Sequence, residues 1–209
     1  MYIHPKNIWT KEADLIKFIQ QNAFATLVSR VTNRPWATHL PLILEKDQDG
    51  HPILLGHLAK ANAQWKEIEN EEVLAIFQGP HAYISSSWYN HENVPTWNYQ
   101  AIHVYGTCRI IEGEHLMHHL KTIVDKYEDG RPNRVSVEKM SDSYVQGQVK
   151  ALVGIEIKVS EVQASAKLSQ NRDQVNFKNI ILKLQESPLP MDHQVASEME
   201  KILNADGEG

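Results

Sequence analysis

A single cysteine, Cys108, in a chain of 209 residues excludes any disulfide within the molecule. Its place in the apolar run Val104 to Ile111 suits a buried small hydrophobe rather than a nucleophile. Long apolar runs are missing too. No stretch approaches the roughly 20 residues needed to span a bilayer, and the N-terminal MYIHPKNIW lacks the basic-then-apolar pattern of a secretory signal, so the expected compartment is the cytoplasm and no membrane partner is expected. Basic clusters are scarce. Lys and Arg number 21 against 26 Asp and Glu, a net charge of −5. Tight binding to nucleic acid normally relies on such clusters, so direct DNA binding would need a patch assembled only by folding or dimerisation. The chain also has no G-x-G-x-x-G turn, Walker loop, G-x-S-x-G elbow, paired C-x-x-C or H-E-x-x-H. These absences disfavour Rossmann enzymes, P-loop ATPases and common serine hydrolases.

What is present fits an ordinary globular body, with 42% hydrophobic and 22% charged residues. Thr10 is placed to cap a first helix running to Asn22. Strand signals then follow closely: Phe24 to Val31, Trp36 to Glu45 and Pro52 to Leu58, separated by turn-prone Thr32 to Pro35 and Asp47 to Gly50. A short helix is expected from Asn62 to Asn70. Further strands are expected over Glu72 to Gln78, Tyr99 to Ile111 and Leu152 to Val159. About six strands at this spacing indicate a barrel or sandwich. The domain expectation is a body over residues 1–186, with a helical excursion at about 114–150, followed by a linker and an amphipathic C-terminal helix over 187–209.

Three segments carry candidate chemistry. Between Val73 and Gly106, strand-like runs flank a loop rich in His, Ser, Asn, Trp and Tyr, a composition suited to the wall of a pocket for a flat, heteroatom-rimmed ligand. Gly56 to Glu69 ends a strand and opens a helix, with Lys60 supplying charge and Asn62, Ala63 and Gln64 supplying hydrogen-bond donors for a phosphate. Lys167 to Arg172 adds two cations beside Ser169, Gln170 and Asn171. Eleven histidines invite a metal reading, with His115 and His119 spaced i and i+4. No further ligand is assigned by spacing, so these read as solvated helix histidines and no metal is expected.

Taken together, FATLVS (24–29), ATHLPL (37–42), GHLAKANAQW (56–65), LAIFQGPHAYISSSW (74–88), VPTWNYQAIHVYG (94–106) and KLSQNR (167–172) resemble the PaiB family of FMN-binding split-barrel proteins, relatives of the pyridoxamine-phosphate-oxidase-like flavoproteins. The resemblance implies a mainly β fold with peripheral helices, a six-stranded antiparallel split β-barrel. It also implies a homodimer with a phosphorylated small-molecule ligand, FMN, at the subunit interface. In that superfamily a Ser-Arg-Lys turn holds the FMN phosphate. Asn62, Ala63 and Gln64 stand at the corresponding turn here, which leaves Lys60, His39 and His57 as the replacements. Gln78, Tyr83, Ser85, Thr96, Trp97 and Asn98 are carried over as ring and ribityl contacts, and Gln170 and Arg172 as further cofactor contacts.

The family is described as negative transcriptional regulators, which makes a binding and regulatory module the first functional expectation. The alternative is an FMN-dependent oxidoreductase or haem-handling enzyme of the same superfamily. His81, Tyr83 or His103 would then handle protons and His91 or His193 would be exposed haem ligands. The residues themselves assign no catalytic group.

Overall fold

Alternation sets the first strand, β1 (Phe24–Val31): Ala25, Leu27, Ser29 and Val31 are buried and the residues between them are not. This is the period of two that a half-covered sheet requires. The computed structural model describes residues 1–206. Its strands continue with β2 (Arg34–Pro41), β3 (Ile43–Lys46), β4 (Pro52–Ala59), β5 (Glu72–Ile84), β6 (Thr96–Ile111) and β7 (Leu152–Lys167). They form one open sheet in the order β2-β1-β5-β6-β7-β4-β3. β1 pairs antiparallel with β2 and β5, and β4 pairs antiparallel with β3 and β7.

Seven strands replace the six expected, because the single strand expected over Trp36 to Glu45 is two. Proline brings no N–H to a ladder, and β2 ends at Pro41. Leu42 then gives its N–H to the Ala23 carbonyl at 2.8 Å, and from Ile43 the chain pairs with β4 instead. One residue therefore separates β2 from β3, although they occupy opposite ends of the sheet order. Only a strongly curled sheet allows this. The expected helix over Asn62 to Asn70 is likewise a single 3-10 turn, Ala63–Glu67. Asn62 caps it as predicted, but Asn70 takes a left-handed φ of 63° and its N–H bonds the Cys108 carbonyl, returning the chain to the sheet. β5, β6 and β7 each run further than their apolar runs suggested. In β5 the buried set shifts from Val73, Ala75, Phe77 and Gly79 to Ala82 and Ile84, which disguises the continuity.

The helices are α1 (Glu12–Gln21), α2 (Gly113–Glu128), α3 (Asp142–Val149), α4 (Gln174–Gln185) and α5 (Pro190–Asp206). α1 begins two residues beyond Thr10, the cap expected for it. Residues 1–18, 78–102 and those from 163 onward make one compact unit, and residues 19–77 with 103–162 make another. In the first, Phe177, Ile180, Ile181 and Leu184 of α4 and Val195, Ala196 and Met199 of α5 pack with Ala82, Ile84 and Leu168. The C-terminal helix is thus core, and the predicted linker shrinks to the break between α4 and α5, where Pro190 opens the new helix.

In the second unit the two ends of the sheet are bound together by one side chain. Gln64, fully buried, follows β4 and spends its carboxamide on β1 and β2. Its Oε1 accepts from Thr38 Oγ1 at 2.6 Å, and its Nε2 donates to Ser29 Oγ at 2.9 Å and to the Leu27 carbonyl at 3.3 Å. A chain-close contact supports the same unit on its other side, where a Cβ on Gly106 would collide with the Lys158 carbonyl oxygen. Gln64→Leu keeps the volume but strands Thr38 and Ser29, a loss of about 3 kcal/mol in stability. Urea unfolding should show it as a lower midpoint with an unchanged slope.

Candidate functional site

The phosphate-suited turn leaves β4 at Ala59. Lys60 N–H is tied to the Ala151 carbonyl at 2.8 Å and its carbonyl accepts the Trp65 indole N–H at 2.8 Å, which fixes the backbone while the side chain points out, exposed. Among the described residues its ammonium has no acidic partner. Asn62 gives one amide hydrogen to Thr38 Oγ1 at 2.8 Å, and its Oδ1 accepts the Gln64 N–H at 3.0 Å. Gln64, fully buried with both amide hydrogens donated, has no donor left for a phosphate. Of the three residues at the turn, Lys60 alone offers an unspent charge.

His57, on β4, does something the sequence did not reveal. Its Nδ1 lies 3.0 Å from Nε2 of His119 on α2. His119 is fully buried, not solvated as expected, and its own Nδ1 has no partner. The signal was present in the spacing: His119 falls three residues after Leu116 and four before Ile123, both buried on the same helix. His115 stays exposed on another face, so the i, i+4 pair does not converge. The neighbouring His118 reaches Glu45 of β3 at 2.9 Å. Among the described residues the cluster with metal-ligand spacing is instead Asp47, Asp49 and His51, in an exposed hairpin where Asp47 Oδ1 already accepts the N–H groups of Asp49 and His51. Cys108 is buried, and burial, reinforced by Glu69 and Glu156, pushes its thiol up to about 12, which removes it as a nucleophile near neutral pH.

On the same unit, the registers align side chains on one face of the sheet, because direct cross-strand partners share a face. His39, Thr26 and Ile76 form one row and Ala37, Val28 and Leu74 the next. All six are exposed or half-buried, while Ala25, Leu27 and Ala75 between them are buried. Phe24, 67% exposed, ends the array with its ring 6.3 Å from that of His39. On β6, His103 is half-buried with Nδ1 unpaired, and burial lowers its proton affinity.

The other unit holds the aromatic candidates. Trp97, 52% exposed, stands edge-on to Tyr83, 48% exposed, at 6.0 Å between ring centroids, and His81 lies 5.9 Å from the same indole. Gln78 Nε2 is 3.4 Å from His81 Nδ1. These four side chains form an accessible shelf. Ser85, Asn98 and Gln170 are occupied elsewhere: Ser85 caps the turn Ser86–Trp88, Asn98 is buried between Ser169 Oγ and the Met199 sulfur, and Gln170 braces the backbone at Leu168, Ala166 and Lys6. Thr96 Oγ1 accepts from Lys167, the first cation of the candidate segment, and Arg172 rests over the Tyr89 ring at 5.0 Å. His91 is hydrogen-bonded to Asn90, and His193 to the Ser187 carbonyl.

An FMN-type cofactor requires an unpaired cation for its phosphate and accessible flat side chains for its ring. Each unit, taken by itself, holds side chains suited to one part of the group: Lys60 and exposed His39 to the phosphate in the second, Tyr83 and Trp97 to the ring in the first. Comparison with known proteins agrees. Residues 1–161 match the family described as "Putative FMN-binding domain". The fold is shared with the flavocytochrome Anf3 of Azotobacter vinelandii (TM-score 0.62, 14% identity, 85% of this chain and 78% of that one). It is shared also with the FAD and heme binding protein of Mycobacterium smegmatis (TM-score 0.60, 13% identity, 77% and 73%). The fold class is therefore the split barrel, an open antiparallel sheet with peripheral helices. At 45% identity over 204 residues, 97% of this chain and 98% of the relative, it is similar to "Protease synthase and sporulation protein PAI 2" of Bacillus subtilis, and at 30% over 170 residues (69% of this chain, 100% of the relative) to an uncharacterised protein of Saccharomyces cerevisiae. The chain belongs to the PaiB family of FMN-binding-domain proteins.

The histidine pair gives this unit a signature in acid. Burial lowers the proton affinity of His57, and burial, then His57 and His118, lower that of His119 to about 4. Unfolding restores both to the ordinary range near 6.5. Between those values the unfolded state binds more protons, so stability is lost as pH falls from about 6.5 toward 4. Unfolding midpoints measured from pH 7 to 4.5 should drop, and His119→Phe should flatten the drop. A wild-type profile without slope in that window would refute the neutral buried pair.

Proposed function

We propose that this protein is a homodimer that binds FMN and acts as a negative regulator of transcription by an indirect route, through the redox or ligand state of the flavin. Four considerations support the reading. The family match is to an FMN-binding domain. The Bacillus subtilis relative is named for protease synthesis and sporulation. The rows His39–Thr26–Ile76 and Ala37–Val28–Leu74, with Phe24, give a second copy an extended apolar face to cover. The net charge of −5 favours an indirect route over contact with DNA phosphates. The observation that carries the cofactor assignment is Lys60, an uncompensated ammonium on a backbone fixed at both ends.

When bound, FMN supplies the redox chemistry, and the chain supplies binding and orientation. Lys60 would hold the phosphate as a point charge, with Asn62 fixing the turn. An FMN-dependent oxidoreductase is the second reading. His103 favours it, a half-buried imidazole with a free nitrogen and lowered proton affinity, suited to moving a proton near neutral pH. The flavin and haem named in the titles of the two structural relatives fit this reading also.

Titrating the purified protein with FMN, followed by flavin absorbance and fluorescence, should give saturable binding. Lys60→Ala should weaken it at least tenfold without moving the thermal midpoint, whereas Gln64→Leu should act on stability. Unchanged affinity in Lys60→Ala would place the phosphate elsewhere. NADPH-driven turnover on an acceptor would select the enzyme reading.

A further inference from the structure

The turn after β7 carries two cations that the fold leaves without an acid. Lys167 and Arg172 are both half-buried. Among the described residues neither is paired with a carboxylate, although the chain as a whole has more acids than bases. Lys167 is held on the neutral Thr96 hydroxyl, and Arg172 on the face of Tyr89. The nearest acid in sequence, Asp173, is fully engaged in starting α4: Oδ1 accepts the Asn176 N–H at 3.0 Å and Oδ2 the Asn176 side-chain amide at 2.6 Å. Two like charges partly withdrawn from water with no counter-charge are costly for a fold to retain.

The backbone between them is rigid. Leu168 N–H donates to Gln170 Oε1 at 2.7 Å, Gln170 Nε2 donates to the Ala166 and Lys6 carbonyls at 2.6 and 3.0 Å, and Arg172 N–H donates to the Ser169 carbonyl at 3.0 Å. Ser169 is held at a φ of 61°, with its hydroxyl donating to buried Asn98. The two cations are therefore presented from a fixed frame, not from a mobile loop. They also sense each other: burial, then the charge of Arg172, lowers the proton affinity of Lys167. Thr96, on which Lys167 rests, adjoins Trp97 of the aromatic shelf.

We propose that Lys167 and Arg172 form an oxyanion-binding site for the phosphate or carboxylate of a second small molecule, distinct from the FMN phosphate site at Lys60. A guanidinium fork beside a point charge is the donor set that such a group requires. This site does not depend on the flavin reading, since it is built within residues 78–102 and 163 onward.

Inorganic phosphate is the first probe. Titrated into isotope-labelled protein, with and without saturating FMN, it should shift the Arg172 side-chain N–H and the Thr96 amide saturably in both states. Lys167→Met and Arg172→Met should each weaken that binding at least tenfold. Lys167→Arg should retain it within about threefold, since it preserves the charge. The thermal midpoint of Lys167→Met should hold or rise, because an uncompensated charge is removed. FMN affinity should stay within twofold in Lys167→Met and Lys167→Arg. Absent or non-saturating shifts, or shifts indifferent to the substitutions, would overturn the proposal. So would competition between phosphate and FMN with parallel loss of FMN affinity in the variants, which would assign the pair to the flavin's own phosphate. If wild-type protein binds no FMN at all, the flavin reading fails while the phosphate titration still reports on the pair.

Discussion

The buried carboxamide of Gln64 is the constraint on which the second unit turns. An open sheet exposes two edges, and here the strands at its ends, β2 and β3, are joined through Leu42 alone. The covalent link forces the curl, and Gln64 holds the turn after β4 against β1 and β2 through its carbonyl oxygen and both amide hydrogens. Buried polar groups satisfied in this way specify one arrangement, because any slip leaves several of them orphaned. Lys60 precedes Gln64 by four residues, so the same lock fixes where an unpaired cation emerges.

The division of labour among polar residues follows from this. Gln64, Asn98, Ser85 and Gln170 are the types a ligand site would use, yet each is spent within the protein on a turn, a cap or a strand edge. Lys60, His39, Tyr83, Trp97 and Arg172 keep their polar or aromatic surfaces available. Structural polar groups are conspicuous in a sequence for the same reason as functional ones, and only their partners tell them apart.

Local signals were legible where the determinant was local. The alternation of β1, the Pro52 strand, the cap at Asn62 and the apolar faces of α2, α4 and α5 could all be read from spacing. The split at Leu42 was not, because an apolar run gives no sign that the chain pairs with Ala23 at Leu42 and with β4 from Ile43. The extensions of β6 to Thr96 and β7 to Lys167 were hidden by polar residues whose partners are remote in sequence, such as Asn98 with Ser169. His119 lay on the apolar face of its helix and was misread for its polarity. The cations of Lys167 to Arg172 were visible in the sequence, but that neither has an acid was not.

The central claim is that the half-exposed rows on β1, β2 and β5 are covered by a second copy that completes the FMN site. Sedimentation equilibrium with flavin absorbance tests this directly on wild-type protein and Ile76→Glu, a substitution that places a charge at the β5 end of the first row. Wild type should sediment as a dimer with flavin absorbance at the dimer mass, and the variant as a folded monomer stripped of flavin. A wild-type monomer that retains its flavin would contradict the account.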